Sequence, residues 1–349
     1  MSPLVRLASI AATFALAVSV TGCSKKSDAT ASSTTMKPAQ VKVALVPGGS
    51  HPYFQPWKTA GTRAKADFGL GDVTFNENSG WDQTKQNNVL TSLAAQGYNA
   101  FGVFGVAPEN INTTFGSLKR QRFHVASLGS CPAGSADDAD FCLATDVQQA
   151  AYKAAQAAIN AMGGKGNLVH LTGNKTDSNT QRRMAGVQQA VTETHGQVKL
   201  VETRTDIDTD LQTAQKAVAD LIAAKGTQLS GIVNTAYNPA VASAAAVKHA
   251  HLPIKVVAID DDPTVLADIR DGSVAATVVQ NPVGQAYVGS YALMKLSTGC
   301  TMRQPGLTID SGSFVVDKKN AGSYDTQRQA TTKTLKSDFD AKYLNCRAK

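Results

Sequence analysis

From Val41 onward the chain alternates short apolar runs with longer segments whose apolar residues recur every three or four positions, and it does so in two series. A short uninterrupted apolar run reads as a strand buried on both faces, whereas a 3.6-residue period reads as a helix with one inward face. The first series runs through strand Val41–Val46, helix Phe54–Phe68 with apolar positions 54, 57, 60, 64 and 68, and strand Val73–Phe75. It continues with a helix capped by Asp82 and running to Gln96, strand Ala100–Phe104, a helix opened by Pro108 and carrying Ile111, Phe115 and Leu118, and strand Phe123–Leu128. The second series opens with Phe141–Ala144, followed by a helix capped by Asp146 that stops at Gly163 and Gly164. Strands then fall at Leu168–Leu171, Val198–Val201, Gly231–Asn234, Ile254–Ile259 and Val274–Val279. Helices separate them at Ser178–Thr194, around Leu211 to Ile222, from Pro239, and at Pro263–Ile269, and Val283–Leu296 closes the series. Strands alternating with helices of this length imply parallel sheets with right-handed crossovers. The expected fold class is α/β, with two doubly wound parallel-sheet lobes joined by a hinge.

The residues before Val41 carry a different signal. Arg6 precedes the uncharged apolar run Leu7 to Val20, which is too short to span a bilayer and ends in Thr21, Gly22 and Cys23. The arrangement resembles a bacterial lipoprotein signal, in which the cysteine is acylated and becomes the first mature residue. Val20 and Thr21 depart from the usual motif, while Gly22 and Cys23 match it. The resemblance implies a signal peptide over residues 1–22, lipidation at Cys23, and a Ser-, Thr-, Ala- and Lys-rich tether over 23–40. The body is therefore expected to work outside the cytoplasm, at the periplasm or cell surface, anchored to a membrane through its lipid. Four cysteines remain, Cys131, Cys142, Cys300 and Cys346, an even number in an oxidising compartment. Of the three possible pairings we favour Cys131 with Cys142, closing a short Asp- and Gly-containing loop, and Cys300 with Cys346, pinning the tail to the body.

The formal charge of +7 comes from scattered Lys and Arg and forms no stripe suited to a phosphate backbone, which argues against a nucleic-acid partner. No phosphate-cradling loop, serine-nucleophile elbow or His-Glu-x-x-His helix occurs in the sequence. Gly163-Gly-Lys-Gly166 precedes a strand, where a phosphate loop would follow one. A binding protein with no cofactor, no metal and no catalytic residues is the expectation.

In open α/β sheets, ligands bind beyond the carboxyl ends of the strands. The loop after Val46 carries His51, Pro52, Tyr53 and Phe54, ring surfaces suited to the CH face of a small ring. Phe54 and Trp57 also fit the start of the buried helix face. Adjacent Arg182 and Arg183 point about 100° apart on a helix, so one can face the cleft while the other faces water. Asp260-Asp-Asp262 begins the helix after Ile259, where Asp261 or Asp262 would cap it and Asp260 would face the ligand. Gln280 ends the last strand with an amide that both donates and accepts.

Four motifs then carry a resemblance over about residues 41–316. They are Ser50-His-Pro-Tyr-Phe54, Ala144-Thr-Asp146, Arg183-Met-Ala-Gly-Val187, and Val256-Val-Ala-Ile-Asp260 with Val274-Ala-Ala-Thr-Val-Val-Gln280. In this order the chain resembles type I periplasmic substrate-binding proteins of the ribose-binding branch, which feed sugar ABC transporters. The resemblance implies a ligand site of His51, Tyr53 and Phe54 in one lobe with Arg183, Asp260 and Gln280 in the other. Gly129-Ser130 and Ala236-Tyr237-Asn238 replace polar pairs of ribose binders, which makes Ser130, Tyr237 and Asn238 candidate contacts and ribose a poor candidate ligand. Trp81 is a further aromatic candidate.

The resemblance also sets the lobes at 41–145 with 281–307, and 146–280 with 308–349, crossing near Thr145, Gln280 and Leu307. It implies a monomer that closes over a small sugar-like or polyol ligand and presents the closed form to an ABC transporter permease. The alternatives are a sensor that presents the closed form to a membrane receptor, and a binder of a nonsugar ring. A C-terminal helix over Ser337 to Leu344, held by Cys346, is expected to play no part in binding.

Overall fold

The computed structural model describes residues 35–133 and 138–346. The expected signal peptide, Cys23 and most of the tether lie outside the described residues. The end of the tether, Pro38–Gln40, forms a single 3-10 turn before the first strand.

The first lobe is built from β1 (Lys42–Val46), α1 (Gln55–Phe68), β2 (Asp72–Phe75), α2 (Gln83–Ala95), β3 (Ala100–Val103), α3 (Ile111–Arg120), β4 (His124–Leu128) and β5 (Phe141–Ala144). The second takes α4 (Val147–Ala161), β6 (Gly166–Leu171), α5 (Ser178–Thr192), β7 (Val198–Arg204), α6 (Leu211–Lys225), β8 (Gly231–Asn234), α7 (Tyr237–His249), β9 (Lys255–Ile259), α8 (Pro263–Asp271) and β10 (Ala276–Val279). The chain returns to the first lobe as α9 (Pro282–Ser297), which packs on α1, β3 and β4. After it come β11 (Thr301–Met302), β12 (Leu307–Asp310), β13 (Phe314–Asp317), α10 (Tyr324–Asp338) and β14 (Leu344–Asn345).

Each lobe centres on a six-stranded sheet, ordered β12-β5-β4-β3-β1-β2 and β13-β10-β9-β8-β6-β7. Every pairing in the two sheets is parallel except β13 with β10. The central strands β3, β5, β8 and β10 are buried throughout because helices cover both faces, whereas the edge strands β2, β7 and β12 carry polar, partly exposed residues. In β1, Val43 and Leu45 meet Trp57, Ala60 and Ala64 of α1, while Ala44 and Val46 meet Leu90, Ile111 and Phe115 on the opposite face. In the second lobe the alanine face of α4, from Ala150 to Ala158, packs on α5 and the sheet. Gly186 makes that close approach possible, since a Cβ there would stand 2.1 Å from the Gln148 carbonyl oxygen. Helix starts are set by carboxylates: Asp82, Asp146, Asp177, Asp210 and Asp262 each accept from a first-turn backbone NH. Such a cap is worth about 1 kcal/mol.

The strand order reverses between β1 and β3 in one sheet and between β6 and β8 in the other, so the connections leaving the carboxyl ends of those neighbouring strands part to opposite faces. That is where a crevice forms in such sheets.

The C-terminal region departs from the expected lobe division. Strand β12 pairs with β5 from Leu307↔Phe141 to Asp310↔Ala144, so residues 308–310 belong to the first sheet. The third crossing therefore lies at Ser311 to Ser313, between β12 and β13, and not at Leu307. The tail also returns to the first lobe, where Leu335, Phe339 and Leu344 join the core. Its helix starts at Tyr324, well before Ser337, and gives way to a π turn at Phe339–Tyr343. The cause is the Cys300–Cys346 disulfide with the β11–β14 pair, which draws the chain end back to the foot of α9. Cys131 is bonded to Cys142.

The three crossings share one polar network. Thr145 Oγ1 lies 3.3 Å from Ser311 Oγ, Gln285 Nε2 donates to Ser311 Oγ at 3.1 Å, and Asn281 Nδ2 donates to the Ser311 carbonyl at 3.0 Å. All of these residues are buried. Buried polar groups need such partners, and this network supplies them where the three crossings meet.

Candidate ligand-binding site

A cavity of about 1020 Å³ lies at the strand ends, at the upper limit of small-molecule pockets. Its lining comes from both lobes and includes His51, Tyr53, Phe54, Trp81, Arg183, Tyr237, Asp260 and Gln280.

The first-lobe wall is aromatic. After β1 the chain turns through Pro47-Gly-Gly-Ser-His-Pro, and His51 Nδ1 accepts from the Tyr53 backbone NH at 3.2 Å, which fixes the ring. Phe54 packs edge-on against Trp57 and Phe104, each with ring centroids 5.1 Å apart. Trp57 is fully buried and belongs to the core, whereas Trp81 is 45 % exposed. The Trp81 indole lies on Gly48 and Gly49, where a Cβ would approach the ring to 2.8 and 2.7 Å. Trp81 also holds a left-handed backbone, φ +58, tied by its NH to the Gly48 carbonyl at 2.8 Å. A bulky residue in that region is strained, and such strain persists where the surroundings enforce it. Tyr53 Oη donates to Gln285 Oε1 at 3.1 Å, and burial pushes its phenol well above the usual range, so it stays a neutral donor.

The second-lobe wall is polar. Asp260 is buried and left-handed, φ +65, and its Oδ1 accepts from Gln280 Nε2 at 2.9 Å. Burial lifts its carboxyl to about 7, with the Gln280 bond, Arg183 and His51 opposing the rise. Arg183, on α5, has a buried Nε with no partner in the protein. Arg182 also lines the cavity but pairs with Asp146 at 3.0 Å beside the hinge. Beneath them His170 is fully buried, held neutral by burial and by Arg183, and bonded through Nε2 to the cavity-lining Thr235 at 2.7 Å. Tyr237 Oη donates to Asp262 at 2.9 Å, and burial raises its phenol far beyond physiological pH.

The walls touch. His51 Nε2 stands 3.5 Å from Asp208 Oδ2 of the second lobe, and the His51 and Tyr237 rings meet edge-on at 5.9 Å. Asn179 Nδ2 donates to the Gly129 carbonyl across the same gap at 3.3 Å. This is a closed arrangement.

Two expected site residues stand outside the cavity. The chain turns at Gly129, φ +78, and Ser130 is buried outside the cavity lining, its backbone carbonyl accepting from Ser127 Oγ at 2.6 Å. Asn238, in the first turn of α7, instead holds the Asp208 loop, donating from its backbone NH to Asp208 Oδ1 at 2.8 Å and from Nδ2 to the Asp208 carbonyl at 2.9 Å.

Phe104, Asp206 and Asp208 line the cavity without having been singled out from sequence. They follow β3 and β7, two strand ends to which the same loop rule applies.

A periplasmic binding protein domain model matches residues 43–300. The fold recurs in a carbohydrate transporter solute-binding protein from Agrobacterium radiobacter in complex with D-arabinose, at 21% identity and TM-score 0.74, covering 85% of this chain and 100% of that one. It recurs in an ABC transporter periplasmic solute-binding protein from Actinobacillus succinogenes with bound D-allose, at 19% identity and TM-score 0.73, covering 81% and 100%. A solute-binding protein from Mycobacterium smegmatis with bound glycerol matches at 20% identity and TM-score 0.72, covering 81% and 96%. No curated protein matches the sequence. With the family model covering most of the chain and the two-lobed cleft in place, this chain belongs to the periplasmic binding protein family.

Proposed function

We propose that the chain is the solute-binding component of an ABC importer and that it captures a small sugar-like or polyol ligand between its lobes. The observation that carries the reading is the opposition of two unlike walls: ring faces from Phe54 and Trp81 on one side, and Arg183, Asp260 and Gln280 on the other. Ring faces suit the CH surface of a pyranose or furanose, and a carboxylate, a guanidinium and an amide read its hydroxyls. Arg183 Nε, buried and without a protein partner, needs an acceptor that a hydroxyl oxygen supplies. Two neighbours of the same fold hold D-arabinose and D-allose, and a third holds glycerol, which supports the ligand class.

Capture works by closure. The His51–Asp208 and Asn179–Gly129 contacts form only when the lobes meet, and a ligand touching both walls adds its own contacts to that state. Export through the N-terminal segment and lipidation at Cys23 would hold the protein at a membrane, where the closed face meets a permease.

A thermal-shift screen of the chain from Ser24 onward tests the reading, using pentoses, hexoses, deoxy sugars, polyols and nonsugar rings. Ligand at about a hundred times its Kd adds roughly 2.7 kcal/mol, a shift of several degrees. A hit among sugars or polyols is expected. A hit confined to nonsugar rings would overturn the ligand class.

A further inference from the structure

Three consecutive carboxylates follow β9, and each is engaged differently. Asp260 faces the cleft, and Asp262 caps α8 while accepting from Tyr237. Asp261 turns away from the cleft: its Oδ2 accepts from Arg328 Nη1 at 2.8 Å and lies 3.4 Å from Tyr324 Oη. Both partners belong to α10, beyond the residues 43–300 that match the family model.

Helix α10 spans the hinge. At its start Tyr324 packs against the second-lobe core, and its Thr332 Oγ1 donates to Asn281 Oδ1 in the hinge at 3.0 Å. At its end Leu335 is buried in the first-lobe core. Its grip on the second lobe thus includes an ion pair to the residue next to the cleft carboxylate.

We propose that Arg328 is a positioning residue for the cleft: by holding the Asp261 carboxylate against α10, it keeps Asp260 turned toward the ligand and neutralises the charge beside it. The inference rests on reading the cleft as the ligand site. Asp260 holds a left-handed backbone, uncommon for a non-glycine residue though more accessible to Asp than to most, and both of its C-terminal neighbours are tied to other elements, Asp261 to α10 and Asp262 to Tyr237 of α7. The ionisable groups facing Asp260 are Arg183 from α5, His51 and Tyr53 from the β1–α1 turn, Tyr237 from α7, and Asp261 itself. Of these Asp261 is the carboxylate, and it acts to raise the Asp260 carboxyl. Arg328 is the cation bound to it.

The test is a carbon-13 NMR titration of the Asp260 carboxyl in the ligand-free protein, with the resonance assigned through Asp260→Asn. Arg328→Gln is expected to move the Asp260 midpoint up by about half a pH unit or more, since an unneutralised like charge disfavours ionisation. Arg328→Lys should restore the wild-type midpoint, and Arg328→Gln should have no effect in an Asp261→Asn background. A folded Arg328→Gln protein with an unchanged midpoint overturns the proposal. Should that variant fail to fold, Arg328→Met, which keeps an unbranched stem against Tyr324, decides in its place: a raised midpoint supports the proposal and an unchanged one overturns it. Because no ligand is present, a failed ligand screen would overturn the functional reading and leave this coupling measured.

Discussion

Gln280 Nε2 donates to Asp260 Oδ1 at 2.9 Å just where β10 ends and the chain leaves for the first lobe. One hydrogen bond thus ties the cleft carboxylate to a hinge crossing. On the proposed reading, a ligand hydroxyl that engages Asp260 would act on a group already bonded to a hinge crossing.

The same carboxylate makes stability depend on pH. Its folded pKa, about 7, lies above the ordinary aspartate value of 3.8, so its stabilising contribution is full below the unfolded value and is lost as pH rises through about 7. Asp260→Asn should therefore stabilise the ligand-free protein by about 1–3 kcal/mol at pH 8 and by much less at pH 4. Urea denaturation at the two pH values checks this. Equal effects at both would show that Asp260 is not the titrating group.

Trp81 should report binding by fluorescence. The chain has two tryptophans, and Trp57 is fully buried in the core while Trp81 is exposed at the cleft. A ring stacked on Trp81 should change emission in the wild type but not in Trp81→Phe. Trp81→Ala should weaken binding by about 0.5–1.5 kcal/mol, the worth of one ring contact. A full emission change in Trp81→Phe would place the ligand away from this indole.

The Cys300–Cys346 bond should hold the tail over the hinge. Replacing both cysteines by serine is expected to cost about 2–4 kcal/mol in denaturation, by freeing the closed loop in the unfolded chain. Unchanged stability would mean that the packing of Leu335, Phe339 and Leu344 suffices to dock the tail.

The lipid anchor is tested by palmitate labelling in a bacterial host. Label is expected on the wild type and not on Cys23→Ala, since the other cysteines are paired in disulfides. Label retained by the variant would contradict acylation at Cys23.

The α/β architecture was legible because its central strands are apolar on both faces and its helices are not, a contrast that survives in sequence wherever layers alternate regularly. The region after α9 was opaque for the same reason. Strands β12 and β13 are four residues each and half-exposed in part, and α10 carries many polar residues, so neither period stands out. Eight of the ten candidate site residues line the cavity, because strand ends mark where loops must converge. Ser130 and Asn238 do not, since which way a loop residue turns depends on backbone geometry such as the left-handed Gly129. The Asp261–Arg328 pair joins residues far apart in sequence, and nothing short of the folded chain reveals it.

The most direct test of the central claim is calorimetric titration of the wild type, Arg183→Ala and Asp260→Asn with a sugar or polyol that stabilises the protein. One-to-one binding by the wild type is predicted, with each variant weakened about tenfold or more, the loss of a charged hydrogen bond being worth about 1.5–3 kcal/mol. Wild-type affinity in both folded variants would contradict the claim and place the ligand outside this cleft.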